Sequence, residues 1–126
     1  MNDCLEHIAF PEKTLCALIP KLCDGGVFLI SVPNVRQFYN LWHVVVDADW
    51  KYQQSGILDR THLRFYTMRS LRRFLVDELG FELEYLRGIT PIVSRGQRLL
   101  SLVTFGKMAD TRYTQIAAIA RPTRGR

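Results

Sequence analysis

The run Val27-Phe28-Leu29-Ile30-Ser31-Val32 does most to limit what this chain can become. It follows the turn signal Asp24-Gly25-Gly26 and stops at Pro33-Asn34, so it is too short and too sharply bounded for a helix. Short apolar runs of this kind mark strands covered on both faces, as in a parallel sheet packed between helices. Ligands of such sheets sit just beyond the carboxyl ends of the strands. By position alone, Pro33, Asn34 and Arg36 become candidate site residues.

The rest of the chain alternates around that strand. Pro11 and Glu12 suit a first helical turn, and Leu15, Leu18, Ile19 and Leu22 recur at helical spacing, which predicts a helix over 12–23. Pro20 removes a hydrogen bond inside it and should kink it or end it early. A second helix is expected over 36–46. Thr67 reads as the N-cap of a third over 68–79, with Leu71, Phe74, Leu75 and Leu79 facing inward and Gly80 as the stop. Phe81–Leu86 alternates like a half-exposed strand, 96–106 reads as an amphipathic helix, and Thr114–Ala120 as a final buried strand. The order is that of an α/β protein. Gly25-Gly26 precedes a strand and does not link a strand to a helix, so it is a turn and not a phosphate-binding loop.

Composition removes several classes. A chain of 126 residues, 48% apolar and 23% charged, is one globular domain. Cys4, Cys16 and Cys23 form no C-x-x-C pair and read as small buried hydrophobes in a reducing compartment, so the cytoplasm is the expected location. No apolar run approaches the roughly 18 residues that a membrane span needs. The net charge of +5 is carried largely by arginine, which suits anionic partners. Arg121, Arg124 and Arg126 are read as a solvated basic tail, with the domain ending near 122. A nucleic-acid binder is disfavoured, because no recognition helix or aromatic-basic sheet pattern is present.

The densest chemistry lies in Gly56–Thr67, where Asp59, Arg60, Thr61, His62 and Arg64 stand between apolar anchors. If the segment is extended, Arg60, His62 and Arg64 share one face while Thr61, Leu63 and Phe65 share the other. That would present three nitrogen donors to an anion or polar substrate. Arg60 and Arg64 either clamp such a group or pair with Asp59, Asp47 or Asp49. His62 is either a substrate-side base or a structural histidine beside Trp50 or Tyr66, and His7 either a base or a group bonded to the backbone. Phe38, Tyr39, Trp42, Trp50 and Tyr52 form either a lid over an apolar substrate or ordinary core and rim.

Taken in order, Asn2-Asp3-Cys4-Leu5-Glu6-His7, Pro11, Gly25-Gly26, Pro33-Asn34 and Leu58-Asp59-Arg60-Thr61-His62-Leu63-Arg64-Phe65-Tyr66-Thr67 carry a resemblance. The chain resembles the C-terminal half of a class I S-adenosylmethionine-dependent methyltransferase. It is most similar to a bacterial group related to ubiquinone and menaquinone methylases, often encoded near surface-polysaccharide genes. The resemblance implies a partial Rossmann-like fold, a mixed sheet flanked by helices, with the last strand antiparallel between the other two. It implies S-adenosylmethionine as cofactor and a small-molecule or glycan-precursor acceptor. The family's glycine-rich loop and ribose-binding acid are expected to lie in an N-terminal half absent from this chain, which therefore should not bind the cofactor tightly.

Carried over by position, Asn2, Asp3 and Leu5 are the cofactor-side residues. Asn34, Arg36, Asp59, Arg60, His62 and Arg64 are the substrate-side residues, and His7 and His62 the candidate bases. Methyl transfer from a sulfonium needs alignment, plus a base when the acceptor is a hydroxyl. Related quinone methyltransferases hold a divalent metal on an acid, a glutamate and a histidine spaced like Asp3, Glu6 and His7, which a helical turn would place on one face. A solvated turn shows the same residues, and no metal is the default expectation. The alternative to an enzyme is a non-catalytic remnant that binds a partner or self-associates, as a homodimer, through the exposed edge of the Val27–Val32 strand.

Overall fold

The computed structural model describes residues 1–123. Three strands form one sheet in the order β1-β3-β2: β1 is Phe28–Pro33, β2 is Glu82–Pro91 and β3 is Tyr113–Arg121. β3 runs antiparallel to both neighbours, the arrangement expected of this partial α/β fold. A parallel stub completes the mixed character. Asn2 bridges Ser31, with Ser31 donating to the Met1 carbonyl and Asp3 to the Ser31 carbonyl, both at 3.1 Å. The outer edge of β1 is therefore partly occupied by the chain's own first residues.

Among the described residues four α-helices accompany the sheet: α1 Pro11–Leu18, α2 Phe38–Val45, α3 Met68–Arg72 and α4 Arg95–Val103. Pro20 acts as expected, because α1 stops at Leu18 and Ile19–Lys21 tightens to a 3-10 turn instead of reaching residue 23. Cys16, within α1, and Cys23 both lie exposed, which overturns their reading as buried hydrophobes. Thr67 caps α3 through a capping box with Ser70, and the helix continues as a π-turn over Arg73–Glu78. Gly80 closes it at φ 68°, a conformation that costs glycine little. Phe81 follows, buried, with its amide on the Leu75 carbonyl.

The core lies on one face of the sheet. Phe28, Ile30 and Val32 of β1 and Ile116, Ala118 and Ala120 of β3 meet Leu5, Leu15, Leu71, Phe74 and Leu75. Burying such aliphatic side chains contributes roughly 1.5–3 kcal/mol each. On the opposite face Leu29 is 54% exposed while Ser31 is buried, so β1 is covered on both sides only in part, less than its unbroken apolar run predicts. Periodicity cannot tell such a strand from one with a single buried face when the outward residue is also apolar.

β2 runs on past Leu86 to Pro91 because β3 offers partners along its whole length, up to Pro91 against Tyr113. Gly88 is required there, since a Cβ would lie 2.1 Å from the Tyr113 ring. Arg121 is no solvated tail residue. It ends β3 with its guanidinium 2.6 Å from Glu84 and also bonds the Gly25 carbonyl. Arg124 and Arg126 lie outside the described residues. No helix among the described residues is long and apolar enough to cross a membrane.

Candidate functional site

Local geometry, more than strand alternation, decides where the Gly56–Thr67 side chains go. The Asp59 carboxylate accepts from both the amide and the hydroxyl of Thr61, at 2.8 and 2.7 Å, and His62 N donates to the Asp59 carbonyl at 3.1 Å. This Asx-type turn interrupts the extended chain. The Thr61 bonds hold Asp59 below the usual carboxylate range. Leu63 and Arg64 then both donate to the Glu6 carbonyl, at 2.8 and 3.1 Å. The expected common face of Arg60, His62 and Arg64 does not form. Arg60 stays exposed, with no ion pair to Asp59, Asp47 or Asp49 among the described residues. His62 turns inward, and Arg64 donates to the Ala9 carbonyl at 2.6 Å.

The inward turn of His62 brings it to Glu6 and His7. Its Nδ1–H donates to the Ile57 carbonyl at 2.9 Å, which leaves Nε2 as the lone-pair nitrogen, 4.0 Å from Glu6 Oε1. His7 likewise directs Nδ1 at the Thr61 carbonyl, at 3.2 Å, and stacks edge-on against His62 with ring centroids 4.8 Å apart. One ligand atom from each of Glu6, His7 and His62 lies within 4.8 Å of the others. Glu6 is 1% exposed, and neither carboxylate oxygen has a hydrogen-bond partner. Burial pushes its carboxyl above the usual range, and Asp3 nearby adds to the effect. A buried carboxylate without partners is costly and signals a proton, a cation or a polar ligand at that position.

Asp3 does not complete this cluster. Its backbone takes φ 46°, leaving helical geometry before the 3-10 turn Leu5–His7, and its Oδ1 accepts from Gln115 Nε2 at 2.8 Å. The expected Asp3–Glu6–His7 face is thereby replaced by Glu6, His7 and His62. No sequence spacing joins position 62 to positions 6 and 7. The only signal was the density of polar groups in both segments.

Asp3, Glu6, Asp59 and His62 border a cleft of about 250 Å³ together with Pro33, Thr114 and Gln115. Pockets for drug-sized ligands run from roughly 300 to 1,000 Å³, so this cleft is too small to enclose one by itself. Of the other cofactor-side candidates, Asn2 is held in the parallel bridge to Ser31, and Leu5 is fully buried in the core.

Asn34 and Arg36, placed at the site by the strand rule, brace the fold instead. Asn34 is fully buried, donating to the Asp110 and Tyr113 carbonyls at 3.1 and 3.0 Å while its Oδ1 accepts from Arg36 N at 3.2 Å. Arg36 pairs with Asp110 at 3.2 Å. They tie the end of β1 to the segment before β3. Of the aromatics, Tyr39, Trp42, Trp50 and Tyr52 are all exposed at the rim, with Trp50 edge-on to Phe65 at 5.2 Å.

No curated protein matches the chain. Residues 1–86 match the sequence profile of a methyltransferase domain, a span holding β1, α1–α3, the Glu6–His7–His62 cluster and the Asx turn. With that match covering well over half of its 126 residues, the chain belongs to the methyltransferase-domain family.

Proposed function

We propose that this domain provides the acceptor side of an S-adenosylmethionine-dependent methyl transfer to a small-molecule or saccharide-type acceptor. The observation that carries the reading is the partnerless Glu6 carboxylate beside His62, within the stretch that matches the methyltransferase profile. S-adenosylmethionine supplies an electrophilic methyl group on a sulfonium. The residues here need only bind, orient and deprotonate. His62 Nε2 would take the proton that an acceptor hydroxyl gives up on methylation, and S-adenosylmethionine, when bound, would supply the methyl group. The Glu6 carboxyl, 4.0 Å from Nε2, would steady the imidazolium that results, and the Ile57 carbonyl fixes the tautomer that makes Nε2 the base. Asp3 and Asp59 line the cleft, where they would orient polar groups of the acceptor.

The same cluster supports a second role, as the seat of a divalent cation. A carboxylate and two imidazoles suit zinc or manganese, and both histidines point Nδ1 at backbone carbonyls, the outer-shell pattern that holds a metal-binding ring in place. When bound, such an ion would polarise an acceptor hydroxyl and lower its pKa. Glu6, His7 and His62 form this set, without Asp3.

Titration with S-adenosylhomocysteine, followed by amide chemical shifts, tests the first role. Weak shifts confined to Asp3–His7 and Asp59–His62 are expected. The absence of any shift there would sink the reading, and tight micromolar binding would show that this chain needs nothing else to hold the cofactor. For the second role, zinc or manganese added after chelation should raise Tm in the unaltered chain and leave Glu6→Gln unmoved.

A further inference from the structure

Helix α4 faces the wrong way for a helix serving its own core. The α4 side chain turned into the protein is Gln97, buried and donating to Thr111 Oγ1 at 3.5 Å. Leu99, Leu102 and Val103 are 62%, 75% and 67% exposed, and Phe105, just beyond the helix, is 95% exposed. An amphipathic helix on a protein surface ordinarily buries such a stripe. Beside it, α2 exposes Trp42 and Val45, with Val46 just past its end, and the trough of about 520 Å³ between the two helices is lined almost wholly by apolar side chains.

Basic residues interleave with this ridge. Arg95 and Leu99 stand four apart on α4, as do Arg98 and Leu102, so each arginine shares a face with a leucine. Neither arginine has an ion-pair partner among the described residues. Lys107 and Arg112 follow, both exposed. The one carboxylate between residues 92 and 112, Asp110, is already held by Arg36.

We propose that the α2–α4 ridge docks on an anionic lipid surface, independently of the methyl-transfer reading. Leucine, valine and phenylalanine enter the acyl boundary while the guanidinium groups stay at the phosphates. Other occupants fit less well. A nucleic acid would engage the arginines and leave Leu102, Val103 and Phe105 in water. A second copy of this chain, meeting it across a twofold axis, would set arginine against arginine.

Co-sedimentation of the full chain with vesicles tests this directly. Binding to vesicles containing phosphatidylglycerol should exceed binding to pure phosphatidylcholine by about tenfold or more, and should weaken with salt. The double variant Arg95→Gln/Arg98→Gln should lose the preference for anionic lipid, and Leu102→Ser should lose binding, each with an unchanged melting curve. A tryptophan blue shift on vesicles should persist in Trp50→Phe and vanish in Trp42→Phe. Equal binding to both vesicle types, or none, would overturn the proposal. So would a concentration-dependent dimer that Leu102→Ser abolishes, since the ridge would then belong to a second copy.

Discussion

The Glu6–His7–His62 cluster and the α2–α4 ridge break the usual partition of side chains in opposite senses. The cluster buries a carboxylate with no partner, whereas the ridge leaves leucine, valine and phenylalanine in water. Folding alone rewards neither arrangement. A side chain that lowers the stability of the isolated fold is the one to examine for function, and both regions supply such side chains.

The largest effect should come where the cluster joins the core. Leu5, one residue before Glu6, is fully buried, and Leu5→Ala should lower unfolding free energy by about 2–5 kcal/mol in urea denaturation. A small loss would mean that the cluster does not rest on the core. Thr67→Ala, which removes the capping box joining the Asx-turn segment to α3, should cost about 1 kcal/mol by the same measurement.

Glu6→Gln should act in the other direction. Burial raises the Glu6 pKa above its ordinary 4.5, so the folded chain holds that proton more firmly than the unfolded chain. Stability is therefore fully present below the ordinary value and is lost as pH rises through the folded value. The variant should melt higher than the unaltered protein at about pH 7, with the gain fading near about pH 4. A pH-independent difference would show that Glu6 is not buried as an uncompensated acid. The smallest effect belongs to the ridge. Leu102→Ala, at a side chain 75% exposed, should shift stability by no more than about 0.5 kcal/mol. A loss comparable to that of Leu5→Ala would erase the contrast between the two regions.

Much of the scaffold was legible in the residues. Thr67, Leu71, Phe74, Leu75 and Gly80 announced a capped helix with one inward face, and Pro20 announced the early end of α1, because caps, periodicity and proline act over one or two turns. The candidate site was legible only as two polar-rich segments. Strand alternation placed Arg60, His62 and Arg64 together, and the Asx-type turn at Asp59, closed by two bonds from Thr61, separated them. The strand-end rule marked Asn34 and Arg36, whose hydrogen bonds are spent on Asp110 and Tyr113, far along the chain.

The sequence by itself determined the local elements, the order of strands and helices, and the likeness to methyltransferase domains, since each is written in neighbouring residues or in motifs read along the chain. Tertiary structure alone decided that His62 meets Glu6 and His7, that Asp3 turns away to Gln115, and that α4 shows its leucines to the solvent. Those outcomes depend on which faces the sheet and loops bring together across tens of residues, and periodicity along one segment carries no information about the other.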